Sequence, residues 1–242
     1  MNTVASNIST LYADGNTAVL TLENGAKNLL TEPEFIEKEV LLGFLKEHPE
    51  VNALVITGKG RHFSHGADVS LFSDSSTGVS ITEKLERARD LLRTIERLPI
   101  LTVAAINGGC FGGGLEIALS CQFRIASPKA FLGLTEIMHG VVPGMGGMER
   151  LQRLLGRQTA IKMCMNGEML TAQQALECGL ITDISKEKDA FPESVEFVRS
   201  LAEGKSALQI ECILQTMNNA LDGVEDPSKG QFEKVLAQIN KG

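Results

Sequence analysis

The chain has no excess of positive charge: 23 lysines and arginines stand against 30 aspartates and glutamates, a formal net charge of −7 over 242 residues. That balance argues against a nucleic-acid binder. It also lacks any run of eighteen apolar residues, so nothing in it is expected to span a membrane. The opening MNTVASNIST has no basic region followed by an apolar core, so no secretory leader is read. No C-x-x-C pair occurs among the five cysteines, an odd number that points to reduced thiols in a cytoplasmic compartment, buried as small apolar residues. His62 and His65 have the spacing of a metal pair, but no third ligand accompanies them, so no metal is expected. What remains is an ordinary globular composition, 43% hydrophobic with a mean hydropathy of +0.03. The length suits one large domain, or one domain with an appendage.

The richest stretch is 104–147. It carries two glycine clusters, Gly112-Gly113-Gly114 and Gly144-Met145-Gly146-Gly147, each close to a carboxylate in an apolar setting, Glu116 and Glu136. Before it, Ile100–Ile106 is short, apolar and β-branched, bounded by Pro99 and Asn107-Gly108-Gly109, which predicts a buried strand. The glycines permit a tight turn or a close approach of backbone to ligand, and Leu115-Glu116-Ile117 opens a helix. A strand, glycine turn and helix in succession aim free N–H groups and a positive dipole end outward. That is a site for an oxyanion, with an acid or base beside it.

Elsewhere the pattern predicts strands alternating with helices. Residues 8–22 form a hairpin around Asp14-Gly15, Pro33–Glu47 a helix, and Val51–Thr57 a buried strand. Leu71–Gly78 is a polar loop. Ile81–Leu98 is an amphipathic helix with Leu85, Ala88, Leu91, Leu92 and Ile95 on its stripe and Lys84 toward solvent. Met148–Leu155 is helical, with Arg150, Arg153 and Arg157 on a solvated outer side. A helix over Ala160–Met165 breaks at Asn166-Gly167. Thr171 N-caps a helix that Gly179 ends, and Leu180–Ile184 is a last strand. Beyond Glu187 the chain is helical.

Three motifs now resemble the crotonase (enoyl-CoA hydratase/isomerase) family over roughly residues 15–185. Asn107-Gly108…Gly112-Gly113-Gly114-Leu115-Glu116 is similar to its central signature. Phe131-Leu132-Gly133-Leu134-Thr135-Glu136…Gly140…Pro143-Gly144-Met145-Gly146-Gly147 is similar to its second. Phe63-Ser64-His65-Gly66-Ala67-Asp68 resembles its first oxyanion loop. Gly167-Glu168-Met169-Leu170-Thr171-Ala172…Gly179-Leu180-Ile181 resembles a purely structural stretch of the same family.

The resemblance implies an α/β fold, a crotonase-like ββα spiral over residues 1–187, and an α-helical segment over 188–242 used in trimer or hexamer contacts. It implies an oxyanion hole made of the Ala67 and Gly113 backbone N–H groups, with glycine at 113 leaving room for the thioester. Glu116 and Glu136 fall on the positions of the two hydratase glutamates, which implies hydration of an enoyl thioester by an acid and a base. Three alternatives stand beside that: a double-bond isomerase using mainly Glu136, a member acting on acyl-carrier-protein thioesters, and a non-catalytic binding member. His65, Gly66, Asp68, Gly112 and Gly144 are the implied substrate-binding residues, with Asp68 bracing its loop. Lys27 lies in the loop that contacts the adenine end of coenzyme A, where a solvated lysine is the plain alternative to a phosphate contact. That loop lacks the family's arginine-proline pair. Thr135 and Gln122 stand where proline and aspartate are common. Coenzyme A or phosphopantetheine enters only as part of the substrate, with no separate cofactor. The chain stops at Gly242, before family members usually end, so part of the lid over the carrier is expected to be missing.

Overall fold

The computed structural model describes residues 3–6, 8–68 and 80–239. Its strands are β1 (Val4–Ser6), β2 (Ser9–Asp14), β3 (Thr17–Leu22), β4 (Ala53–Gly58), β5 (Leu101–Ile106), β6 (Gly109–Phe111), β7 (Phe123–Ala126), β8 (Phe131–Gly133), β9 (Leu170–Thr171) and β10 (Asp183–Ile184). The helices are α1 (Lys38–Glu47), α2 (Ile81–Glu96), α3 (Gly113–Ser120), α4 (Gly147–Leu155), α5 (Arg157–Asn166), α6 (Ala172–Glu177), α7 (Phe191–Ala202), α8 (Ala207–Leu221) and α9 (Gln231–Ile239). β4 and β5 are buried at every position, as parallel strands covered on both faces must be. They sit at the centre of a seven-stranded sheet in the order β1-β2-β3-β4-β5-β7-β10. The β1-β2-β3 meander is antiparallel and every pairing from β3 onward is parallel, with Val19, Val55 and Val103 in register.

The period-two alternation of these strands separates two cores. Leu54, Ile56, Ala104 and Ile106 face α1, α2 and α3, meeting Leu41, Phe44, Leu91, Ile95 and Leu115. Ala53, Val55, Val103, Ala105 and Ile125 face the other way, against Val195 and Val198 of α7 and Ile210 and Leu214 of α8. A second sheet, β6-β8-β9, stands apart from the first. Gly109 to Phe111, read from sequence as part of a glycine turn, pair there in parallel with Phe131 to Gly133. β7 was not foreseen either. It carries Arg124, a buried arginine that donates to the carbonyls of Ala118 and Cys121 at the end of α3 and of Leu180 beyond α6. A cation at a helix C-terminus complements the dipole, and here it ties α3 to the sheet.

Several expectations shift by a turn or a neighbour. The helix expected from Pro33 starts at Lys38, because the Ser9 hydroxyl takes the Phe35 carbonyl at 2.7 Å and Phe35 and Ile36 are buried in bends. Lys84 does not point to solvent. It pairs with Glu32 at 2.8 Å with a side chain only 15% exposed, fastening α2 to the segment before α1. The last strand shortens to Asp183–Ile184. Thr171 caps α6 as expected, in a capping box with Gln174. The cysteines are all free; Cys110, Cys121 and Cys212 are buried, but Cys164 is half-buried and Cys178, at the end of α6, is exposed. No helix among the described residues is long and apolar enough to cross a membrane. Leu71–Gly78 lies outside the described residues.

Candidate active site

The loop that follows β4 is built by its neighbours. Asn28, in the left-handed conformation at φ 47°, donates its side-chain amide to the carbonyls of Lys59 and His62 at 3.0 and 2.9 Å. The Ser64 hydroxyl donates to the Asn28 carbonyl at 2.7 Å and accepts from the Gly66 N–H at 3.1 Å. Leu30 N–H donates to the Gly66 carbonyl, and Asp68 N–H to the Leu30 carbonyl. That zipper leaves the Ala67 N–H, between them, with no hydrogen bond to another described residue. The Gly113 N–H, at the start of α3, is equally unused. Gly66 brings the two together: at φ 83°, a Cβ on it would lie 2.7 Å from the Phe111 carbonyl oxygen and 3.1 Å from the Gly113 nitrogen. Gly112, at φ 52° and ψ −126°, occupies backbone space closed to residues with a Cβ.

The two glutamates reach the same space from different elements. Glu116 sits in the first turn of α3 and is 2% exposed. Its Oε1 accepts from the Met145 and Gly147 N–H groups, both at 2.8 Å. Burial raises its pKa, against the opposing pull of those N–H groups and of the Arg150 guanidinium. Glu136 opens a one-turn 3-10 helix, Glu136–His139. Both its carboxylate oxygens are sealed from solvent and lack a well-formed hydrogen bond among the described residues, its own backbone N–H giving the anion only a lesser pull. Burial, and then the charge of Glu116, push it up to about 7. Glu116 is thus braced as an anion by backbone donors, whereas Glu136 is not.

A cavity of 340 Å³ collects His65, Gly66, Ala67, Gly112, Gly113, Glu116, Glu136 and Gly144, eight of the residues singled out from the sequence. Leu30, Pro33, Leu85, Val142 and Met145 give it apolar walls. Glycine at 113 serves packing as well as access, since a Cβ there would meet Met145 Cε at 2.8 Å and Leu30 Cδ1 at 2.9 Å. Asp68 and Lys27 do not line this cavity; Lys27 is exposed on the loop whose carbonyl accepts from the His65 N–H. Behind His65 a second cavity, of 530 Å³, is lined by four cations, Arg61, Lys129, Lys186 and Lys188, and two carboxylates, Glu187 and Asp189. His62 is held there as an acceptor, its Nδ1 taking the Gly109 N–H at 3.0 Å. Arg150 corrects the sequence reading: it is 8% exposed rather than solvated, with its guanidinium on the Met145 and Gly146 carbonyls. Its place just after the second glycine cluster was the only signal.

The sequence pattern of the enoyl-CoA hydratase/isomerase family matches residues 13–238. The chain belongs to that family. It is 35% identical over 236 residues to the alpha subunit of the fatty acid oxidation complex of Shewanella loihica, covering 94% of this chain and 32% of that one. The chain thus spans about a third of the length of that curated relative. Among solved structures, DspI of Pseudomonas aeruginosa superimposes with a TM-score of 0.84 at 27% identity, over 98% of this chain and 90% of that one. An enoyl-CoA hydratase from Bacillus anthracis gives 0.84 at 27%, over 96% and 92%. These likenesses establish the crotonase fold that the three motifs implied, in a family of enzymes.

Proposed function

We propose that the protein adds water across the double bond of α,β-unsaturated acyl-CoA thioesters. The observation that carries this reading is the pairing of two differently supported carboxylates with two unspent N–H donors on one cavity. The thioester carbonyl oxygen would sit between the Ala67 and Gly113 N–H groups. Glu116, as carboxylate, takes a proton from water as the water oxygen bonds to the β-carbon. The displaced π electrons pass to the thioester oxygen as an enolate, where fixed donors are worth on the order of 3 kcal/mol each. Glu136, protonated near neutral pH, then gives its proton to the α-carbon. A proton passing back from Glu116 to Glu136, directly or through solvent, restores both. An isomerase needs only one base to carry a proton between carbons, and would leave the braced Glu116 without a task.

Mixing the protein with crotonyl-CoA should remove the enoyl-thioester absorbance band. A flat trace, together with conjugation of a 3-enoyl thioester by the same preparation, would establish the isomerase instead. The four cations around the neighbouring cavity, in excess over its two carboxylates Glu187 and Asp189, support a phosphorylated carrier such as coenzyme A better than Lys27 alone does.

Assembly is part of the same reading. Ile213, Met217 and Leu221 of α8 recur at helical spacing and are all more than half exposed, and Phe232, Leu236 and Ile239 form a like stripe on α9. Apolar stripes of this kind are covered in a partner interface, here one that builds a homotrimer or a hexamer. Light scattering at micromolar concentration should return a mass three or six times the 26.1 kDa of one chain. A stable monomer would refute the assembly.

A further inference from the structure

Glu116 accepts its two hydrogen bonds from the loop that enters α4, where the main chain contributes one tie, the Arg150 N–H donating to the Gly146 carbonyl at 3.3 Å. Residues 144–147 turn through Gly146 at φ 90° and then enter α4. The side chains that complete this orientation lie on their outer side. Arg150 Nη1 donates to the Met145 carbonyl at 3.0 Å and to the Gly146 carbonyl at 3.2 Å. Arg89 Nε, from α2, donates to the Gly144 carbonyl at 2.6 Å. Three successive carbonyls are thereby drawn outward, and the N–H groups of Met145 and Gly147 face the cavity. Arg150 is itself anchored, with Nε 3.2 Å and Nη2 3.1 Å from Glu96 Oε2, while Arg153 holds the other Glu96 oxygen at 2.5 Å. A buried arginine fork fixed at both ends sets geometry that a lysine would not, because only the guanidinium reaches two carbonyls and a carboxylate at once.

We infer that Arg150 is the positioning residue of Glu116: held by Glu96, and helped by Arg89, it turns the 144–147 loop so that one Glu116 oxygen is locked and the other faces the reacting atoms. This rests on the hydration reading for its consequence, but not for its geometry. The guanidinium also lies close enough to favour the ionised form of Glu116. Among the described residues, the other titratable groups that feel Glu116 are Glu136 on the 3-10 turn and Cys164 on α5.

The test compares Arg150→Gln and Arg150→Lys with the parent protein. Glu116 is titrated directly by carbon NMR of labelled glutamate carboxyls, assigned by its loss in Glu116→Gln. In Arg150→Gln the Glu116 proton should be held roughly tenfold more tightly, a rise of about one pH unit in its midpoint. Crotonyl-CoA hydration should lose about tenfold or more in kcat with KM nearly unchanged, since orientation matters chiefly in the transition state. Arg150→Lys keeps the charge, so its midpoint should stay near the parent's while kcat still falls. If Arg150→Gln does not fold, Glu96→Gln, which frees the outer end of Arg150, should move the midpoint the same way by less. A folded Arg150→Gln or Glu96→Gln with the parent's midpoint and kcat overturns the proposal. If the parent shows no hydration yet the midpoint still moves, the positioning role stands and the reaction assignment fails.

Discussion

Glu116→Gln and Glu136→Gln should each lower kcat for hydration of crotonyl-CoA on the order of a thousandfold, the usual scale for removing a positioned acid or base. Glutamine keeps the shape of glutamate, and at 116 its carbonyl oxygen can still accept from the Met145 and Gly147 N–H groups. The loss would therefore report proton transfer rather than a collapsed loop. Because the two groups work as a unit on one addition, the double variant should be little worse than the poorer single one. The proposed oxyanion donors at Ala67 and Gly113 remain in all three, so residual turnover should stay above the uncatalysed rate. Full hydration by Glu116→Gln would remove the base from the mechanism. Loss only in Glu136→Gln, with 3-enoyl substrates still converted by Glu116→Gln, would hand the site to the isomerase.

The parts of this site that were legible in the sequence are those where backbone chemistry dictates residue type. Gly112 and Gly113 stand where a Cβ would strike another chain segment or require forbidden torsions, so the glycine cluster marks a turn open to a ligand before any coordinates. Gly66, by contrast, was read only through the resemblance of its loop to the crotonase family. Glu116 and Glu136 were visible because a carboxylate beside a glycine cluster in an apolar stretch needs a reason to be there. The strands β4 and β5 announced themselves as unbroken apolar runs. The supporting residues were not legible. Arg150 looks from its spacing like a member of a solvated arginine row, and only the fold shows its guanidinium turned onto the loop behind it. Asn28 sits in a polar turn whose sequence gives no sign that its amide holds the carbonyls of Lys59 and His62, residues more than thirty positions away. β6 and β7 were missed for a related reason: a three-residue Gly-Cys-Phe strand has no period to read, and its pairing with β8 is a long-range event. Phe35 and Ile36 fitted a helical repeat, but the Ser9 hydroxyl claimed the carbonyl that a helix would have used.

The unpaired carboxyl of Glu136 should also be visible in stability. Its folded-state value of about 7 lies above the ordinary 4.5 of a glutamate, so the folded protein holds this proton more tightly than the unfolded chain does. Below about pH 4.5 both states are protonated and Glu136 costs the fold nothing. As pH rises from there, the unfolded chain ionises first and gains, so stability is lost across the window up to about 7 and stays lost above it. A displacement of that size is worth on the order of 3 kcal/mol. Glu136→Gln removes the titration while keeping the side chain's shape. At pH 4.5 its urea midpoint should match the parent's closely. At pH 8 the variant should be more stable by up to about 3 kcal/mol, shared with Glu116, whose own burial cost eases when its neighbour's charge is gone. Taking the difference between the two proteins at each pH, and at one protein concentration, cancels the titrating groups not coupled to Glu136 and any gain from assembly. A difference that does not change between pH 4.5 and 8 would mean that Glu136 ionises in the fold as readily as in water. The division of acid and base between the two glutamates would fall with it.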